Sequence, residues 1–213
     1  MSALSFPPLP LILLGGGGHG RVLADLVTAL GWSFYAVADP APILDEDAFP
    51  GAEHWHRDEA IFAHLPDSVS LVNGIGGLPG AASRRRRATY DLFLARGYQF
   101  ASLCHPSAVL GRRLTIADGV QVMAGAVVQG GCQLGFGVVV NSRASIDHDC
   151  RLGAHVTVSP GAVLCGGVVV GEGAYLGAGC AVLQGVTIGA GALIGAGAVV
   201  RADVPAGGRV VAP

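Results

Sequence analysis

His148 stands between two acids, Asp147 and Asp149. An imidazole titrates near neutrality, and a carboxylate beside it can orient the ring and raise its basicity, so the trio suits a general base that takes a proton from an attacking amine or hydroxyl. An exposed corner residue chosen for turn formation is the plainer reading of the same position. No Ser or Cys occupies a nucleophile-elbow motif. Cys165, next to Gly166, would be an acyl carrier only in a basic setting, which its neighbours do not supply. Neither His148 with His155 nor the distant His105 makes a zinc ligand set, so no metal is expected.

The residues around His148 belong to a repeat. Every sixth residue from Ile116 through Val122, Val128, Leu134, Val140, Ile146 and onward to Val200 is aliphatic, and two residues before each lies another small or aliphatic one. Each hexad therefore reads as a short strand with its first and third positions pointing inward and its second outward. Three hexads close a triangular coil of eighteen residues, and the fifteen hexads predict about five stacked coils of parallel β-helix. The sixth position is Gly at most corners, where a tight turn needs positive φ. Three successive corners abandon it for Arg143, Asp149 and His155, and such departures mark functional sites. At the fifth position Gly130 and Gly166 are the only glycines, one coil below and one above His148, which predicts a slot beside the imidazole. His155 reads equally well as a structural or a ligand-contacting residue.

The first hundred residues have another pattern. An apolar run, Leu11 to Leu14, enters the GGGGHG turn of Gly15 to Gly20, and Val22, Leu23, Leu26, Val27 and Leu30 follow at helical spacing. Gly15, Gly17 and Gly20 fit GxGxxG, and Asp39 closes a second strand about twenty residues on, where a Rossmann unit carries its ribose-binding acid. The helix start offers free amides to a phosphate. One mononucleotide half fits better than two before the solenoid, which divides the chain into 1–103, a half-Rossmann domain, and 104–213, the β-helix. A second strand and helix follow in SVSLVNGIGG and the segment containing Arg84 to Arg87. That run reads as a solvated helix face, or as the source of one arginine for a diphosphate. His54, His56 and His64 receive no role.

The 213 residues carry a net charge of −2 and only 13% charged residues, which points away from nucleic acid as a partner. Pro7, Pro8 and Pro10 break the first apolar stretch, no signal-peptide pattern appears, and no run suits a membrane span; a cytoplasmic protein is expected. Of five cysteines, Cys132, Cys150 and Cys180 fall at the inward first position and read as small buried hydrophobes.

The GxGxHG unit, the Asp-terminated strand, LVNGIGG and a hexapeptide solenoid containing VNSRASIDHDCRLGAH together resemble the NeuD/PglD-type sugar acetyltransferases of bacteria. The resemblance covers nearly the whole chain. It implies a left-handed β-helix, acetyl-CoA as acetyl donor, a nucleotide-linked 4-amino-6-deoxy sugar as acceptor, and a homotrimer with active sites between subunits. Carried over by motif, it makes His148 the general base with Asp149 orienting it, and puts Gly17, Gly18, His19, Asp39 and Gly76 at the sugar nucleotide and Asn141 at the sugar. It also places His155, Gly166, Ala178 and Ala196 along acetyl-CoA. Gly76 and Gly77 stand where relatives often have Asn or Asp with Arg close behind, and a relative's GVPAK-like tail is here VVAP. The mechanism expected is direct attack on the thioester with backbone amides of the glycine corners at the oxyanion. The outward row Val127, Ser145, Val163, Ala181 and Val199 is the expected subunit interface. An O-acetyltransferase acting on a sialic-acid-like hydroxyl, and a non-catalytic nucleotide-binding assembly protein, are the alternative readings.

Overall fold

The computed structural model describes residues 9–43 and 46–211. Pro7, Pro8 and the closing Ala212 and Pro213 lie outside them. The chain divides into two compact units, Met1–Leu103 and Cys104–Pro213.

In the first unit four parallel strands lie in the order β3-β2-β1-β4, with β1 Leu11–Leu14, β2 Phe34–Ala38, β3 Glu53–Trp55 and β4 Ser70–Asn73. All of β1 is buried, as a central parallel strand covered on both faces must be. Helix α1, Gly18–Ala29, buries Leu23, Ala24, Leu26 and Val27, whereas Val22 turns outward at 41% exposure. It ends at Gly31, whose φ of +75° gives the left-handed C-terminal stop. The short helix α2, Glu59–Phe62, precedes β4, and α3, Ala81–Leu94, follows it.

In β3 the sequence EHW is too short and too polar to show a strand period. It pairs with β2 nonetheless and carries an aromatic cluster: Trp55 stacks on His64, and Tyr35 meets both edge-on.

The second unit is the parallel β-helix. Its strands are only two residues long, the second and third positions of each hexad, and they stack in three sheets with partners eighteen residues apart, as in Gln133↔Arg151 and Leu134↔Leu152. The inward first and third positions form one continuous core from Val120 to Val204. Each fully buried aliphatic there contributes roughly 1.5–3 kcal/mol over an exposed one. Strands Val109–Leu110 and Arg209–Val210 extend the stack at either end. The corner glycines have φ between +64° and +80°, and the non-glycine residues with positive φ are Arg113, Arg143, Asp149 and His155, all near +59°. Arg113 adds a fourth corner to the three that the repeat singles out. Asp203 leaves the pattern: its carboxylate accepts from the Thr187 amide at 2.8 Å.

Candidate active site

Three sheets make a prism with three edges, and His148 sits on the edge that also carries Arg112, Gly130, Gly166 and Gln184 at the fifth position. Its Nδ1 is 2.9 Å from Asp149 Oδ2, both side chains being exposed. Asp147 binds the His148 amide at 2.7 Å and so shapes the same turn. The hydrogen bond to Asp149, then the charge of Asp147, hold the imidazole pKa above its ordinary value. With Nδ1 bonded to the carboxylate, Nε2 is the nitrogen left to take a substrate proton.

The two glycines beside His148 do different work. A Cβ on Gly166 would lie 2.5 Å from His148 Nε2 and 2.7 Å from Cε1, so the ring occupies the space that this missing side chain leaves. A Cβ on Gly130 would meet a backbone oxygen, that of Arg112, at 3.0 Å instead. The matching vacancy on the lower side belongs to Gly131, where a Cβ would strike Asp149 Oδ1. Gly131 is hidden from sequence reasoning because it looks like any other corner glycine.

Two core thiols brace this edge. Cys132 donates to the Asp147 carbonyl at 3.0 Å and Cys150 to the Cys165 carbonyl at 3.2 Å. Burial pushes the Cys150 thiol up to about 12, which keeps its donor proton in place. They are the small buried core residues that the repeat predicts, and hydrogen-bond donors as well. All five cysteines are free thiols.

The expected glycine-corner oxyanion donors need a correction. Amides at the sixth position are already committed down the stack, as Gly167 N donates to His148 O at 2.8 Å and Gly185 N to Gly166 O at 3.0 Å. At the fifth position Gly166 lies beside the imidazole.

The other solenoid residues of the expected site stand on other edges. Asn141 lies at the edge that carries Ala178 and Ala196, across the face of Ser145 from His148, and its Oδ1 accepts from the Ser142 amide at 2.8 Å. His155 is on the third edge, edge-on to the Phe136 ring at 5.5 Å. One chain thus brings together His148, Asp149 and Gly166, but not Asn141, His155, Ala178 or Ala196 with them.

In the N-terminal unit the glycine turn leads straight into α1, whose N-cap is Gly17 with no side-chain cap, and Gly17 and Gly18 are exposed while His19 is half-buried. Uncapped first-turn amides suit an anion. Asp39 is turned toward backbone: Oδ2 accepts from Gly16 N at 2.8 Å and Oδ1 from Ala41 N at 2.9 Å. It ties the end of β2 to the glycine turn. Gly76 follows β4, half-buried and with nothing within 4 Å of where a Cβ would be. Arg84, Arg85 and Arg87 are exposed, as a solvated face requires, but Arg86 is only 5% exposed. It turns inward and donates to the carbonyls of Asn73 and Ile75 at 3.0 and 2.6 Å. Among the described residues no cluster of three or more His, Cys, Asp or Glu could hold a metal, and no helix is long and apolar enough to cross a membrane.

The PglD N-terminal domain family matches residues 10–90, and the bacterial transferase hexapeptide family, of six repeats, matches residues 167–202. A crystal structure of a histidine-to-asparagine variant of perosamine N-acetyltransferase from Caulobacter crescentus, in complex with CoA and GDP-perosamine, is 33% identical, with a TM-score of 0.86 over 99% of this chain and 96% of that one. The acetyltransferase domain of PglB from Neisseria gonorrhoeae, in complex with acetyl coenzyme A, is 35% identical, with a TM-score of 0.87 over 96% and 97%. The chain belongs to the NeuD/PglD-type sugar acetyltransferases. It is thus an acyltransferase by family, and its solenoid is that family's left-handed β-helix. UDP-N-acetylbacillosamine N-acetyltransferase of Bacillus subtilis is 31% identical over 119 residues, 53% of this chain; the match spans half the length of that relative.

Proposed function

We propose that this acetyltransferase moves the acetyl group of acetyl-CoA to the amino group of a nucleotide-linked amino sugar, with a 4-amino-4,6-dideoxy sugar as the acceptor and His148 as general base. The carrying observation is the His148–Asp149 pair at 2.9 Å with Nε2 over Gly166. Nε2 takes a proton from the amine as it attacks the thioester carbonyl; the C–N bond forms, the C–S bond breaks, and the imidazolium returns the proton to sulfur, so that CoA leaves as the thiol. The Gly166 amide is the donor beside the ring for the developing oxyanion. Gly17, Gly18 and His19, with Asp39 and Gly76, are assigned to the nucleotide and its diphosphate. The complexes with GDP-perosamine and with acetyl coenzyme A among the relatives support both substrate classes.

Asn141, Ala178 and Ala196 lie on the far edge of the face whose outward row includes Val109, Val163 and Val199, which are 58%, 41% and 51% exposed. A second copy packed on this apolar face would bring that edge to the His148 edge of its neighbour, and three copies close such a heterologous contact into a ring. A cytoplasmic homotrimer, with Asn141 at the sugar and His155, Ala178 and Ala196 along acetyl-CoA, is the assembly we infer. A monomeric mass by light scattering overturns it.

Turnover is tested with acetyl-CoA and UDP-, GDP- and dTDP-linked amino sugars. The expected product is an amide, stable to hydroxylamine; a hydroxylamine-labile ester would favour O-acetylation instead. His148→Ala is expected to lower kcat by about 100-fold or more with the solenoid folded. Turnover near wild type removes the base assignment.

A further inference from the structure

The turn that leaves β4 is held by the arginine that the basic run conceals. Asn73, the last residue of β4, is 1% exposed; its Nδ2 donates to Arg86 O at 3.0 Å and its Oδ1 accepts from Ile75 N at 3.1 Å. In return Arg86 Nη1 donates to Asn73 O and Ile75 O, and Nη2 to the Tyr90 hydroxyl at 2.9 Å. Strand end, turn and helix α3 are therefore locked reciprocally, each side chain bonded to the other residue's backbone.

This turn packs on the glycine turn after β1. Gly74 N donates to Leu14 O at 2.8 Å, and a Cβ on Gly74 would strike Gly15 O. A Cβ on Gly15, whose φ is +100°, would meet Ile75 Cγ1 at 3.2 Å. The sheet order β3-β2-β1-β4 reverses direction between β1 and β4, and open α/β sheets bind ligands outside the strand carboxyl ends at such a point. The Gly15 to Gly20 turn and the Gly74 to Gly76 turn are the two sides of that crevice.

We propose that Arg86, with Asn73, is a positioning residue for nucleotide-diphosphate binding: its guanidinium fixes the backbone of residues 74 to 76 against the glycine turn without touching the ligand. The proposal rests on the N-terminal unit being the nucleotide site. Nη1 alone holds both carbonyls, and the rigid guanidinium plane keeps it between them, a placement that a lysine ammonium on its flexible stem does not reproduce. Tyr90 bonds the same guanidinium but neither end of the turn, so it separates stability from positioning.

The test measures, by calorimetry, the affinities of UDP, GDP, dTDP and acetyl-CoA for the wild-type protein and for Arg86→Lys, Asn73→Asp and Tyr90→Phe, with a thermal midpoint for each. Arg86→Lys is expected to weaken the preferred nucleotide at least fivefold while acetyl-CoA affinity stays within twofold. Tyr90→Phe lowers the midpoint and leaves the nucleotide within twofold. Asn73→Asp keeps the acceptor for Ile75 and loses the donor to Arg86; it reads the same clamp if Arg86→Lys does not fold, and is expected to weaken the nucleotide selectively. Wild-type nucleotide affinity in either clamp variant overturns the proposal, as does weakening in all three variants in proportion to lost stability. A wild-type protein that binds acetyl-CoA but none of the three nucleotides overturns the parent reading, and this proposal falls with it.

Discussion

The two units build their sites by opposite means. In the solenoid every corner has a template, and the site arises where the template is subtracted from: Gly166 and Gly131 remove side chains so that His148 and Asp149 have somewhere to lie. The N-terminal unit has no template. Its glycine turn occurs once, and the turn packed against it is held by Asn73 and Arg86, thirteen residues apart in the chain. A repeat thus advertises its function as an irregularity, whereas a singular turn hides its supports.

The largest loss is expected at Gly166. This residue does not require positive φ, so Gly166→Ala strains no backbone and its new Cβ conflicts only with the imidazole. Displacing a base by about 1 Å can cost on the order of 100-fold, and kcat is expected to fall by roughly that much with the thermal midpoint held. The same substitution in a His148→Ala background should cost nothing further, a coupling that a double-mutant cycle reads directly. Unchanged turnover in Gly166→Ala means that the slot is not what places the ring.

Asp149→Asn is expected to cost less. The base works as neutral imidazole, so activity rises with pH through the His148 pKa, which Asp149 and then Asp147 hold above the usual value of about 6.5. Removing the Asp149 charge lowers that pKa. The acidic limb of the kcat/KM profile should move to lower pH while the plateau drops because the ring loses its orienting partner. An unmoved limb excludes this carboxylate as the cause.

The smallest effect is expected in the core. Cys150→Ala leaves the Cys165 carbonyl without its thiol donor and should cost about 1–3 kcal/mol, seen as a lower urea midpoint, with substrate affinities nearly kept. In the native wild type the fully buried Cys132, Cys150 and Cys180 should resist a disulfide reagent at pH 8 that modifies them after unfolding. Rapid native labelling of all five thiols speaks against a packed core.

Most of the solenoid was legible because one chemical demand recurs every six residues, so the core rows and the break at Arg143, Asp149 and His155 stand out without coordinates. Arg113, one repeat before the apparent start, was overlooked because its row lacks the full pattern. The N-terminal strand, glycine turn and helix were legible as a local motif. In β3, His54 bonds the Asp39 carbonyl at 2.9 Å from a segment too short and polar to show a period. Arg86 was misplaced with its neighbours because four consecutive arginines look alike until the helix phase points one of them inward.

The eighteen-residue coil, the buried rows and an imidazole flanked by carboxylates all follow from residue type at fixed spacing. Tertiary structure alone decided which ring nitrogen Asp149 engages, that Gly166 rather than Gly130 makes room for the ring, and that Arg86 serves the β4 turn. Those outcomes depend on which atoms meet across one coil or one sheet-to-helix contact, and separations of that kind are not written in any local pattern of residues.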